Sequence, residues 1–332
     1  GPTMAGSWTS TFSGAAPMSD LLRRALPVYG LPADTPLTLL NRSENETWRA
    51  GGGLILRLHR AGYHTGAEIG SELHWLTALQ GLPGLNAVRP VAGDQGPVTE
   101  LDGRFIVGFA PVPGQELQPG DDLARWFAPL GEITARLHLH ARQWTPAPGF
   151  ARKRWDVDTI LGPRPHWGDW RHAPGLDAAS SALLTRATDR LAATLRALGT
   201  GPDSFGLIHA DLRLANLMVD GDRLTAIDFD DCGFGWWTYD LASALSFIET
   251  DPRLPDLIAR WCDGYSRVVP SGPPDAALIP DFIFLRRVLL TAWLSTRADS
   301  DTGQALGGPT YTAGTIALAR QYLADGLARL RP

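Results

Sequence analysis

Residues 206–231 constrain this chain more than any other stretch of its 332 residues. An apolar run, Gly206-Leu207-Ile208, leads into His209-x-Asp211, and Asn216 follows on a short loop. Met218-Val219 and residues 224–227 flank Asp220-Gly221, a pair suited to a tight hairpin turn, and the second arm delivers Asp228. The expected local structure is a strand, a polar loop and a hairpin. Each piece has a bland explanation by itself: His-x-Asp is common, Asn216 suits a turn, and Asp228, Asp230 and Asp231 would make a solvated acidic corner. The joint spacing carries the reading.

The rest of the chain supplies a frame. Residues 18–30 read as a short helix stopped by Gly30. Short apolar runs at 37–40, 47–50, 54–58, 97–101 and 104–109, separated by turn residues such as Gly51-Gly52-Gly53 and Asp102-Gly103, predict an antiparallel sheet. One helix interrupts it: Thr65-Gly66-Ala67-Glu68 is a capping box, and Ile69, Leu73 and Leu76 follow at helical spacing up to about Gly81. Beyond Gly114 the pattern turns helical, at 121–142, 177–198, 239–249, 254–266, 279–297 and 312–330, with an irregular Pro-, Trp- and Arg-rich segment at 145–175. The expected class is α+β and bilobal: a β-rich N-terminal lobe with one helix over 18–112, and a larger helical lobe over 113–332. Residues 1–17, opening Gly1-Pro2-Thr3-Met4, read as a tag and a start outside the fold.

Bulk properties exclude some classes. A net charge of −5 argues against a nucleic-acid binder working through bulk charge. No apolar run is long enough to span a membrane, and no signal peptide is recognisable. Cys232 and Cys262 match no metal-ligand spacing and form no disulfide framework, which fits a reducing cytoplasm. Of the 30 basic residues only Lys153 is a lysine, so any other fixed cation must be an arginine.

The residue types at 209–228 suit phosphoryl transfer. That reaction needs positioning and charge neutralisation more than covalent chemistry. Asp211 would orient a hydroxyl and take its proton, Asn216 with Asp228 would offer oxygen ligands to Mg²⁺, and Arg213 would meet the transferred group. His209-Ala210-Asp211-Leu212-Arg213-Leu214-Ala215-Asn216 followed by Asp228-Phe229-Asp230 is similar to the protein-kinase signature. It departs from that signature at Ala210 and Asp230. Together with Asp240-Leu241-Ala242 it resembles the aminoglycoside phosphotransferase/choline kinase family. Leu56-Arg57-Leu58-His59-Arg60, Ser71-Glu72-Leu73, Arg154-Trp155-Asp156 and Asp228-Phe229-Asp230-Asp231 resemble the branch with type II homoserine kinases and the bacterial stress-response kinase. The resemblance covers roughly 35–300. It implies ATP and Mg²⁺ as cofactors, Asp211 as base, Asn216 and Asp228 as metal ligands, His209 as a structuring residue of the loop and Asp240 as its brace.

Such an enzyme also needs a cation on a central strand paired with a helical glutamate. Arg57 stands where lysine is usual, and the exchange is not conservative. Its partner is Glu68 or Glu72, and Glu72 is preferred because the capping box already employs Glu68. No Gly-rich loop precedes the strand; Ser43 and Asn45 would cover the phosphates, while Gly51–53 read as a plain turn. Ile55 would roof the adenine, Met218 and Ile227 would floor it, and the hinge would be 107–110 with Val107 and Phe109. Substrate candidates are Asp230, Asp231, Trp236 and Arg286, with Trp237, Arg287 and Arg297 behind them, although tryptophans so close to Asp240 also suit the core. The leading reading is a kinase for a hydroxyl of a small polar metabolite or antibiotic, with neither nucleic acid nor membrane as partner. The alternatives are a Ser/Thr protein kinase of the stress-response type, a nucleotide-binding pseudokinase, and a metal hydrolase that would leave Asn216, Arg57 and Glu72 without roles.

Overall fold

The computed structural model describes residues 15–297 and 304–332; most of the expected start segment, up to residue 14, lies outside them. The chain divides into two compact units that are not contiguous in sequence. One gathers Gly1–Gln118, Thr145–Arg152 and Met218–Asp230; the other holds Pro119–Trp144, Lys153–Leu217 and Asp231–Pro332.

The first unit opens with α1 (Ala15–Ala25), continued by a 3-10 turn that Gly30 closes in the left-handed region at φ 74°. Strands β1 (Leu37–Arg42), β2 (Glu46–Ala50), β3 (Leu54–Leu58), β4 (Pro90–Val91), β5 (Val98–Leu101) and β6 (Arg104–Phe109) form one sheet in the order β1-β2-β3-β6-β4, with β5 also on β6. Every pairing in it is antiparallel. The pleat sorts β3 cleanly. Leu54, Leu56 and Leu58 enter a core with Trp48, Ala50, Ile106 and the α1 residues Leu21, Leu22 and Ala25. Ile55 and Arg57 take the other face, where the register sets Phe109 opposite Ile55 and Val107 opposite Arg57. Helix α2 (Gly66–Leu79) starts at Thr65 with both bonds of the capping box formed. Short β7 (Gln115–Glu116) pairs with β9 (Leu217–Asp220), which neighbours β10 (Arg223–Ala226).

The second unit is mostly helical: α3 (Ala124–Gln143), α4 (Val157–Ile160), α5 (Ala178–Leu198), α6 (Tyr239–Ala244), α7 (Leu254–Val268), α8 (Ile279–Ser295) and α9 (Pro309–Asp325). The stripe Leu123, Phe127, Leu130, Ile133 and Leu137 is buried. Helices α3 and α7 pack backbone to backbone. A Cβ on Gly131 would meet the Trp261 carbonyl oxygen at 2.1 Å, and one on Gly264 would meet that of Ala128 at 1.9 Å. Strand β8 (Phe205–Ile208) pairs with β11 (Gly233–Trp236). Helix α6 is shorter than the expected 239–249: it ends at Ala244, and Phe247 sits at φ 68°.

No helix among the described residues is long and apolar enough to cross a membrane. Among the described residues neither cysteine forms a disulfide; burial and the nearby Asp263 push the Cys262 thiol up to about 11.

Candidate active site

The loop after β8 is tied from several directions within the second unit. Ala210 is held at φ 71°, a conformation that an L-residue keeps only when its surroundings impose it. Asp240, the second residue of α6, imposes it: Oδ1 accepts from the Ala210 N–H at 2.8 Å, and Oδ2 accepts from that of His209 at 3.4 Å. Asp240 is in turn held by His138 of α3 at 2.8 Å, and the other ring nitrogen of His138 meets the Tyr265 hydroxyl of α7 at 2.8 Å. The Leu212 N–H donates to Ser243 Oγ at 3.0 Å.

These ties leave Asp211 with a defined rotamer. Its N–H donates to His209 Nδ1 at 3.1 Å, so the fully buried His209 ring shapes the loop. Asn216, at the end of a 3-10 turn, gives its Nδ2 to the Asp211 carbonyl at 2.9 Å and to Asp211 Oδ2 at 3.1 Å. Arg286 of α8 donates to Oδ1 at 2.6 Å. Arg213 is half-buried, its Nε 3.5 Å from Oδ2. His209, Asp211, Asn216 and Asp240 were expected at this loop from sequence; His138 and Ser243 were not. His138 lies just beyond the recognised apolar stripe of α3, and its polarity disguised a buried position.

In the first unit Arg57 Nη1 donates to both carboxylate oxygens of Glu72, at 2.8 and 3.0 Å, and both side chains are fully or nearly buried. Burial pushes the Glu72 carboxyl up, but two short bonds from a guanidinium require an ionised acceptor, and we assign a carboxylate. Burial also opposes the charge on Arg57; Glu72, Asp230 and Asp228 outweigh it and hold the guanidinium above its ordinary range. Arg57 Nη2 reaches Asp228 Oδ1 at 3.2 Å, and its guanidinium carbon lies 4.7 Å from the Phe109 ring centroid. Asp228 takes φ 54° and also accepts from the Asp230 N–H at 3.4 Å. Ile55, Val107 and Phe109 line the Arg57 face of the sheet, while half-buried Met218 and Ile227 lie on β9 and just after β10.

Several expected assignments change. Asp230, read as a substrate contact, is buried: His64 Nε2 lies 3.3 Å from its Oδ1 and Arg57 Nη1 3.7 Å from it, while Oδ2 accepts from Asn45 Nδ2 at 2.9 Å. Burial opposes its charge, yet the His64 bond and Arg57 hold it well below the usual carboxylate range. His59 adds its ring 3.6 Å away, and Arg152 donates to the Asp230 carbonyl. Asn45 is occupied by Asp230 and by the Arg60 N–H at 3.1 Å; exposed Ser43 is bonded back to the Asn45 carbonyl. Trp236 is core, its Nε1 given to the Gly199 carbonyl at 3.0 Å, and Trp237 gives its own to Pro202. Asp231 is half-buried, and its carbonyl accepts from Trp155 Nε1 at 2.9 Å. Arg287 is buried against Glu249 and Thr315, and Arg297 lies over Trp293.

A β-rich unit with an Arg–Glu pair, and a helical unit with a braced His-x-Asp loop, define a phosphotransferase of the protein-kinase-like fold, acting on an alcohol group. The chain belongs to the phosphotransferase enzyme family, whose profile matches residues 37–278. A solved structure of a microcompartment-associated aminopropanol kinase superposes with a TM-score of 0.85 at 43% identity, covering 93% of this chain and 99% of that one. Amicoumacin kinase of Bacillus subtilis (strain 168) is 26% identical over 301 residues, 85% of this chain and 86% of its own. A second amicoumacin kinase, solved with AMP-PNP, Ca²⁺ and Ami, gives a TM-score of 0.68 at 22% identity, over 96% and 95% of the two chains. Homoserine kinase of Methylobacillus glycogenes is 28% identical over 73% of this chain and 72% of its own.

Proposed function

We propose that the protein transfers the γ-phosphoryl group of ATP to the hydroxyl of a small amino alcohol, with Asp211 as base. The likeness to the aminopropanol kinase, spread over nearly the whole of both chains, carries the choice of acceptor. The braced Asp211 supports the role of base: a carboxylate held in one rotamer orients a hydroxyl and removes its proton as the new O–P bond forms and the bond to ADP breaks.

The donors fit a hard divalent cation. Asn216 spends its Nδ2 on Asp211, which leaves the amide oxygen as its coordinating atom, and Asp228 adds a carboxylate. Mg²⁺ would neutralise phosphate charge when bound. Arg57, fixed by Glu72, would meet the phosphates; Ile55, Val107, Phe109, Met218 and Ile227 would take the purine. Arg213, the half-buried cation beside Asp211, suits the transferred group. Two cysteines that form no disulfide suit a reducing cytoplasm.

The test is ADP release with Mg²⁺ and ATP over 1-amino-2-propanol, ethanolamine, homoserine, an aminoglycoside and casein. Turnover on the amino alcohols is expected to exceed the rest by at least about tenfold in kcat/KM. A preference for casein or the aminoglycoside would overturn the acceptor class. Asp211→Ala is expected to lower kcat by about 10³ or more while nucleotide affinity stays near wild type; retained turnover would remove Asp211 as base.

A further inference from the structure

We infer that Arg286 is a positioning residue for Asp211, and that it selects Oδ2 as the oxygen that receives the acceptor proton. The inference rests on the reading of Asp211 as base. Sequence alone placed Arg286 among the substrate contacts. In the structure the side chain is 1% exposed and its guanidinium is committed to protein atoms. Nε donates to Ser246 Oγ at 2.8 Å, Nη1 donates to the Ala210 carbonyl at 3.2 Å and to the Tyr239 hydroxyl at 3.1 Å, and Nη2 donates to Asp211 Oδ1 at 2.6 Å. An arginine so engaged is a poor ligand for an acceptor molecule. It is well made to fix a carboxylate, because the planar fork cannot rotate one arm without moving the others.

The two oxygens of Asp211 are therefore inequivalent. Oδ1 carries the short, charge-assisted bond from Arg286. Oδ2 has the longer contacts, 3.1 Å to Asn216 Nδ2 and 3.5 Å to Arg213 Nε. A proton arriving on Oδ1 would have to displace a bond to a buried guanidinium. A proton arriving on Oδ2 keeps that bond, so Oδ2 is the basic oxygen.

The same guanidinium holds the Ala210 carbonyl while Asp240 holds the Ala210 N–H. The left-handed residue just before the base is thus gripped at both of its backbone polar groups, the N–H from α6 and the carbonyl from α8. The Trp167 ring, with its centroid 5.4 Å from the guanidinium carbon, helps keep water from this arginine.

The experiment compares Arg286→Met with Arg287→Met. Arg287 is an equally buried arginine one residue on, paired with Glu249 and bonded to Thr315 and Tyr311 rather than to the loop. Both variants are expected to melt lower. Per folded molecule, Arg286→Met is expected to lose about 10² in kcat with both KM values within about twofold, and Arg287→Met to stay within about twofold of wild type. Arg286→Lys, which restores one charged donor, should recover part of the loss. Tyr239→Phe and Ser246→Ala each remove one support without stranding a charge; they are expected to lower kcat several-fold and provide the readout if Arg286→Met does not fold. A raised acceptor KM with unchanged kcat would make Arg286 a substrate contact and overturn the inference. So would wild-type kcat in Arg286→Met, or in both supporting variants, beside an inactive Asp211→Ala. Turnover by Asp211→Ala would instead remove the base itself, and the role of Arg286 with it.

Discussion

At residue scale, an arginine on β3 organises its neighbours. A guanidinium has more donors than an ammonium, and Arg57 spends them on Glu72 and Asp228 with Asp230 close by. Asp230 then draws in His64, Arg152 and Asn45, with His59 at its edge. Neither nitrogen of the buried His59 ring has a hydrogen-bond partner among the described protein atoms. Burial lowers its pKa from 6.5 to about 3; Asp230 works against this shift, and Arg57, His64 and Arg152 with it. The sign follows: between those values the unfolded chain binds a proton that the folded ring refuses, so stability falls as pH drops from 6.5 toward 3. This one group contributes a slope of up to about 1.4 kcal/mol per pH unit. Urea unfolding at pH 7, 6 and 5 should show a steeper loss for wild type than for His59→Asn; equal slopes would refute the assignment. The sequence text Arg57-Leu58-His59 displayed the pieces of this cluster. What it concealed was burial, since Asp230 and Asp231 read alike in a row of acids and only one of them turns inward.

At element scale, the helix pairing that carries His138 depends on two glycines. Helices α3 and α7 approach closely enough at Gly131 and Gly264 that a methyl group would strike a carbonyl oxygen of the partner helix. Alanine would gain up to about 1 kcal/mol in helix propensity. Overpacking against backbone that cannot yield costs about 1–3 kcal/mol or more, and should win. Gly131→Ala and Gly264→Ala are each expected to lower the melting temperature, and to lower kcat as well, because the His138–Tyr265 bond spans the same two helices and His138 supports Asp240. A variant as stable as wild type would contradict the close approach. Periodicity made the long elements legible: β3, β6, α5 and α7 fall within a few residues of their expected bounds. It failed where tertiary contacts decide. Strand β11 is Gly-Phe-Gly-Trp, whose glycines weaken the strand signal; β4 is only Pro90-Val91; and α6 stops at Ala244, short of the left-handed Phe247.

At the scale of the whole molecule, the family profile spans residues from both units. A nucleotide bound as proposed should stabilise the folded chain. At a hundred times its dissociation constant, Mg²⁺ with a non-hydrolysable ATP analogue is expected to add about 2.7 kcal/mol and to raise the melting temperature by a few degrees. EDTA should abolish the metal-dependent part; an unchanged melting curve would count against nucleotide binding. The scarcity of lysine bears on how such a protein is found at all. With Arg57 in the nucleotide site as proposed, probes that report kinases by acylating an amine there would meet a charged, non-nucleophilic guanidinium, and Lys153 is the chain's sole lysine. Surveys built on that chemistry would pass over this enzyme even where it is abundant and active.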